Sequence, residues 1–483
     1  MYKRQLPGVP ARSFINDIEA SLYDTDTVFV VADAHKVGDF SPYVFVSTNR
    51  GRNWRPISGD LPDGTIAWAI QQDHENEDLL FLGAEYGAYF SVNGGTNWHR
   101  LAGAPTIAFR DIKLQRRDND LVGATFGRGF YILDDYSALR HMAKPGFGGD
   151  ASLFPVRDAW WYIPSAPSQA PGMPTLGSDS FKTANPDFGA TITYYLHEKY
   201  EASKAQRNAQ EKSMLEKGKN IPFPGWERLT RESLEPEPRV MVLISDSKKQ
   251  PLRWLPANNE QGTHRVAWDL RLPAPDAIDL STPEFVPPWA GPSMGPLAAP
   301  GIYSAQLFVF ADGEASPLAE AQEFAVKPVR DAANGIDYAE VANYQQETAG
   351  LMVQINHAGE ELGRTQELLR HMKAAAVAAP RAGPALITRL DAFGAELTGL
   401  KTRLNGDPVR GRLDEASSPS IRGRAYNAAN TWQSTQSATA TQRSDFRIAK
   451  QDFAGFSDDL KKLLTGLEQL EAELSAAGAP SWR

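Results

Sequence analysis

Apolar positions follow two different rhythms along the chain. Up to about residue 330 they come in short runs, many β-branched or aromatic, cut by Gly, Asn, Asp and Pro. Such runs between turn residues predict strands. From residue 336 onward the apolar positions recur at alternating steps of three and four, which predicts long amphipathic helices. The expected class is therefore multidomain, mainly β, followed by an α-helical region.

The first β region repeats. Ser47-Thr48-Asn49-Arg50-Gly51-Arg52-Asn53-Trp54 and Ser91-Val92-Asn93-Gly94-Gly95-Thr96-Asn97-Trp98 share S-x-N-x-G-x-N-W and start 44 residues apart. Apolar strands precede each box, Tyr43 to Val46 and Ala88 to Phe90. Further upstream lie Val28 to Val31 and Leu79 to Leu82, and before those Ile18 and Ile70. A third copy runs from Ile112 through Leu121–Phe126 to Phe130–Leu133 and lacks the box. In each box the Gly permits the positive φ of a tight turn, and the Asn side chain can bond turn N–H groups. The Trp buries a large ring against the next strand. A period of 40–50 residues with about four strands per unit predicts a β-propeller.

The two boxes resemble the Asp-box of BNR repeats, S-x-D-x-G-x-x-W, with Asn in the Asp position. The run Ala124-Thr125-Phe126-Gly127-Arg128-Gly129-Phe130-Tyr131-Ile132-Leu133-Asp134-Asp135 resembles the last blade of bacterial sortilin-like proteins, some of them called glycosyl hydrolases by name only. The resemblance implies that 6–142 are the last blades of an Asp-box propeller. It implies a secreted or periplasmic protein. It makes Ser47, Asn49, Gly51, Trp54, Ser91, Asn93, Gly95 and Trp98 structural rather than catalytic. Residues 1–5, M-Y-K-R-Q, back-translate to a string that looks like a transposon-end sequencing tag, and are read as an assembly scar. On that expectation the chain is the C-terminal part of a longer protein, and missing N-terminal blades of the same chain complete the ring.

Residues 143–330 continue in strands: Ala190–Leu196, Arg239–Ser245, Gly262–Leu272, Gly301–Ala311 and Ala321–Val326. Antiparallel strands with turn-rich joints predict an Ig-like β-sandwich, with Trp268 in its core. A charged insertion at 198–238 begins with ten charged residues in 22 and reads as a solvated helical arm. A Pro-rich loop at 273–300 has eight prolines and carries Phe285, Trp289 and Met294.

In 336–480 three stripes stand out. Leu351, Ile355, Ala358, Leu362, Thr365, Leu369 and Met372 form the first; Leu386, Leu390, Phe393, Leu397, Leu400 and Leu404 the second. Phe446, Ala449, Phe453, Phe456, Leu460, Leu463, Leu467, Leu470 and Leu474 form the third. These seams predict an antiparallel bundle, with a coiled-coil dimer as the alternative.

Composition narrows the chemistry. The chain has 50 basic and 59 acidic residues, net −9, so there is no basic excess for nucleic acid. With no cysteine there is no disulfide, thiolate metal site or cysteine nucleophile. No apolar run reaches the length of a membrane span. None of the eight histidines sits at a zinc-motif spacing, and no phosphate loop, dinucleotide fingerprint or G-x-S-x-G elbow occurs. No cofactor or metal is expected.

If the box closes the turn between the third and fourth strands, the turn between the second and third lies at the opposite edge. Those tips carry Asp33 and His35, Glu85 and Tyr86, and Arg128. They are the candidate binding surface. Its expected ligand is a protein or a glycan. The alternative is a glycoside hydrolase of the Asp-box propeller type, which needs two carboxylates about 5–10 Å apart, these lying largely in the missing N-terminal blades. A sialidase would need three clustered arginines, and only Arg128 stands at a tip.

Overall fold

The computed structural model describes residues 6–142, 147, 149–164, 183, 185–280, 285–287, 291, 293–311, 313–329 and 335–482. The pentapeptide 1–5, Trp289 and all of 165–182 lie outside them.

Three antiparallel sheets come first. Strands β1 (Phe14–Ala20), β2 (Val28–Ala34), β3 (Asp39–Ser47) and β4 (Arg55–Pro56) form one meander in sequence order. A second meander holds β5 (Ala67–Gln72), β6 (Leu80–Ala84), β7 (Gly87–Ser91) and β8 (His99–Arg100). The third has only β9 (Phe109–Gln115), β10 (Asp120–Thr125) and β11 (Phe130–Leu133). The sheets stack. Phe29, Val31, Val44 and Val46 of the first meet Ile70, Leu80, Leu82 and Tyr89 of the second. The other face of the second carries Ala69 and Phe81, which meet Ile112 and Leu121 of the third. The middle sheet is thus covered on both sides, and β5 and β6 are buried at every position. That explains why Ala67–Ile70 and Leu79–Leu82 read as continuous apolar runs rather than as alternation.

Both boxes are turns fastened by side chains. Ser47 Oγ accepts from Gly51 N at 2.8 Å and donates to Asn49 Oδ1, which also accepts from Asn53 N at 2.8 Å. Ser91, Gly95, Asn93 and Asn97 repeat the pattern at 2.9 Å, 3.0 Å and 2.9 Å. An amide oxygen does here what a carboxylate oxygen would do, because each bond needs only an acceptor. The two Trp residues differ. Trp98 is buried, and its Nε1 donates to Ile57 O of the preceding sheet at 2.9 Å. Trp54 lies against Gly51 of its own box and stays half-buried.

After β11 the chain turns into α1 (Ala138–Met142) instead of a box and fourth strand. Strands β12 (Ala151–Leu153), β13 (Ala159–Trp161) and β14 (Ala190–Leu196) follow, then helices α2 (Ser203–Glu216) and α3 (Trp226–Leu234). Next come β15 (Arg239–Asp246), β16 (Pro251–Ala257), β17 (Gly262–Trp268), β18 (Gly301–Ala311), β19 (Glu314–Pro317) and β20 (Gln322–Pro328). They make a three-stranded sheet, β12-β14-β17, and a six-stranded one, β13-β20-β18-β15-β16 with β19 beside β18. Both sheets bury side chains in one core around Trp268, Tyr194, Val242, Leu307 and Phe324. One pairing departs from the all-antiparallel expectation: β13 runs parallel to β20. The long chain between them allows this, since a parallel pair needs a crossover rather than a hairpin. The charged segment holds two helices, pinned together by Arg207 of α2 on Glu232 of α3, which Arg228 of the same helix also holds.

The C-terminal region is helical. It consists of α4 (Tyr338–Ala378), α5 (Pro384–Asn405), the short α6 (Pro408–Arg412), α7 (Ile421–Ala429) and α8 (Ala440–Ala476). Every residue of the three seams is buried except Phe446, which is partly buried; all but Thr365 pack in one core, which α7 joins through Ile421 and Ala425. Asp337 caps α4 at Ala339 N and Glu340 N, and Thr439 with Gln442 forms a reciprocal capping box on α8. Gln345 ties this region to the sheets: its amide donates to Thr431 O and Ser434 O and accepts from Leu297 N. The foot of the Pro-rich loop packs on the same helix, where Asn356 donates to Pro275 O. His357 and His371 lie on the exposed side of α4.

Candidate functional site

The first strands of the three sheets lie in a row, β1 against β5 and β5 against β9. One edge of the stack gathers the tips between second and third strands. The chain leaves β2 through a single 3-10 turn, His35–Val37, closed by Gly38 at φ +85°. Asp33, at the end of β2, is almost fully buried and accepts from His35 N at 3.2 Å and from His35 Nδ1. Burial pushes its carboxyl up, but the His35 and Asn16 hydrogen bonds outweigh that and hold it below the usual carboxylate range.

His35 leads directly to the second sheet. Its ring meets Trp68 of β5 edge-on, centroids 5.8 Å apart. Trp68 Nε1 donates to Glu85 Oε2 at 2.8 Å. From the third sheet, the Arg110 guanidinium lies 3.5 Å over the Trp68 ring and 3.7 Å from Glu85, with Phe126 5.4 Å from the cation. Asn16 of β1 completes the row by donating to Ala67 O at 2.9 Å. Cation–π stacking with a carboxylate alongside fixes the Arg in a planar sandwich.

Of the five tip residues, Asp33, His35 and Glu85 belong to one connected cluster. Tyr86 and Arg128 lie exposed beside it, Tyr86 at 60%. The expected surface omits Asn16, Trp68 and Arg110. The repeat contains their signal: each stands two residues before one of the aligned isoleucines, Ile18, Ile70 and Ile112. The arrangement presents charged and hydrogen-bonding groups beside open aromatic faces, Phe126 at 70% exposed and Tyr86. That combination takes sugar rings or peptide side chains by stacking and hydrogen bonding.

Among the described residues no group of three or more His, Asp or Glu is placed to hold a metal ion, and no helix is long and apolar enough to cross a membrane. No family model matches the chain, and no curated protein matches it. Among solved structures it has a weak likeness to an ancestral GH74 enzyme, at 12% identity and TM-score 0.21 over 67% of this chain and 40% of that one. A second likeness is to the extracellular domain of a one-component system from B. thetaiotaomicron, at 11% identity and TM-score 0.14 over 65% of this chain and 37% of that one. The chain thus spans about two fifths of the length of each solved structure.

Proposed function

We propose that the three stacked sheets are blades of an Asp-box propeller in a secreted or periplasmic protein, followed by an Ig-like sandwich (143–330) and an antiparallel helical bundle (336–480). Their tip cluster binds a protein or glycan ligand. The observation that carries this reading is the Asp33–His35–Trp68–Glu85–Arg110 chain, which takes side chains from all three sheets to one edge. A surface assembled from separate repeats and rimmed by exposed rings is suited to recognition. The sandwich and bundle serve as packing modules that hold the sheets.

A second reading is glycoside hydrolysis, favoured by two carboxylates, Asp33 and Glu85, at the same edge. Binding is preferred because both carboxylates already hold partners: Asp33 holds His35 and Glu85 holds Trp68 and Arg110. A glycan array followed by calorimetry tests the two. Saturable binding without product, weakened about tenfold or more by Phe126→Ala or Glu85→Ala, is expected. Release of reducing sugar that disappears in Asp33→Asn would overturn the binding reading in favour of hydrolysis.

A further inference from the structure

The charged segment after β14 is built as an arm. α2 buries no residue, and α3 buries only Glu232. The base of the arm is fastened. Ser203 N donates to Glu235 Oε1 at 2.9 Å, and Asn259 bonds the Tyr200 backbone at 3.1 and 2.7 Å. Arg207 holds Glu232 across the two helices. Apolar side chains gather at the other end. Of the arm's five exposed large apolar residues, only Leu234 lies at the base; Leu215, Ile221, Phe223 and Trp226 stand where α2 gives way to α3. Trp226 is 77% exposed.

This apex is held in shape. Gly218, at φ +65°, ends α2 in a Schellman turn, with Gly218 N on Leu215 O and Lys219 N on Met214 O, both at 2.9 Å. Pro222 and Pro224 fix their own φ and keep Ile221 and Phe223 extended. The Phe223 and Trp226 rings meet edge to face, centroids 5.2 Å apart. Two large rings are thus presented in a set geometry, so less freedom is lost on binding. Charge is polarised in the same direction. From Lys212 to Trp226 there are three cations, Lys212, Lys217 and Lys219, and one anion, Glu216. Glu227 and Arg228 follow and offset each other. The base carries Glu198, Glu201, Glu235 and Glu237, and the whole chain has net charge −9. The 14 residues of α2 span about 21 Å, more than two Debye lengths of about 8 Å at physiological salt. The basic apex is therefore screened from the acids at the base.

We infer that the apex docks on an anionic lipid bilayer, with Leu215, Ile221, Phe223 and Trp226 at the boundary between headgroups and acyl chains and the three lysines on lipid phosphates. Indole has an apolar body and a polar N–H, and it favours that boundary. An apolar edge flanked by lysines suits a segment that lies on such a surface rather than crossing it. An apolar groove in a protein would accept the rings and leave the lysines beside them unmatched, whereas anionic lipid matches both. This inference does not depend on the ligand proposed for the sheet edge.

The test uses the whole purified chain and sucrose-loaded vesicles of phosphatidylglycerol and phosphatidylcholine in equal parts, read by co-sedimentation. The expected result is saturable binding, weakened about tenfold or more in the double variant Phe223→Ser with Trp226→Ser, and likewise in Lys217→Glu with Lys219→Glu. All four side chains are exposed, so the circular dichroism spectrum is expected to stay unchanged. Binding is also expected to fall at about 1 M salt, where the Debye length is about 3 Å, and to be about tenfold or more weaker on phosphatidylcholine alone. No co-sedimentation at about 1 mM accessible lipid, undiminished binding of either double variant, or equal binding to phosphatidylcholine alone would overturn the inference. So would failure on vesicles together with self-association that the Phe223 and Trp226 changes abolish in sedimentation equilibrium, which would assign the apex to a second copy of the chain.

Discussion

Asp73, just past β5, is a carboxylate with no exposed surface. Arg140 of α1 grips both its oxygens, at 2.7 and 2.8 Å, and Tyr136 Oη donates to it at 2.8 Å. Arg140 also reaches Glu75 at 2.7 Å and Asn119 at 2.7 Å. One residue thus joins the second sheet, the third sheet and the segment that leaves them. Burial pushes the Asp73 carboxyl up, yet the Arg140 and Tyr136 bonds more than offset this and hold it below its ordinary value. A depressed carboxylate contributes stability that is present above its unfolded pKa, about 3.9, and lost as pH falls through the folded value. Asp73→Asn leaves the buried Arg140 with only the exposed Glu75 as counter-charge, at a cost of up to about 3 kcal/mol at neutral pH. Urea melts should therefore separate wild type from Asp73→Asn at pH 7 and show the gap beginning to narrow as pH falls below about 3.9. A gap unchanged at the lower pH would show that the charge contributes nothing.

The sheet pair is where identical sequence acquires different energetics. Trp54 and Trp98 stand at the same place in the same box, yet among the described residues only Trp98 is buried against a preceding sheet. Trp98→Ala should cost about 3–5 kcal/mol, the range for a large aromatic removed from a packed site. Trp54→Ala should cost a small fraction of that. Thermal unfolding of the two variants checks the contrast, and equal losses would sink it. The boxes were legible in the sequence because a Ser–Asn–Gly turn needs fixed residue types at fixed steps. The helical seams were legible for the same reason, since a buried stripe repeats with the helix turn. Trp68 and Arg110 were not singled out because their roles come from stacking across sheets, which no local pattern encodes. The parallel β13–β20 pair was hidden likewise, its partners being more than 150 residues apart. Nor did the sequence reveal α3, whose nine residues sit within a run of charge.

Across the whole molecule the stack leaves two unlike faces. Ile70 and Ile112 point at the preceding sheet and are covered, at 0% and 1% exposed; Ile18, the same position in the first sheet, is 64% exposed. Phe14 and Ile15 are open beside it. At the far end Leu133 packs on the second sheet, so its neighbour Ile132 points the other way and is 59% exposed, next to Phe130. Exposed apolar faces of this kind drive association. The pairing rule inside the stack is front to back, so chains should join with the Ile18 face of one on the Ile132 face of the next. A head-to-tail contact uses both faces at once. Either Ile18→Lys or Ile132→Lys alone should then reduce the weight-average mass at high concentration to that of the monomer, in sedimentation equilibrium. If like faces met instead, each single variant would leave dimers through the untouched face, and only the double variant would be monomeric. Both positions are exposed in the chain, so neither change removes a packing contact within it, and loss of mass reports the contact between copies.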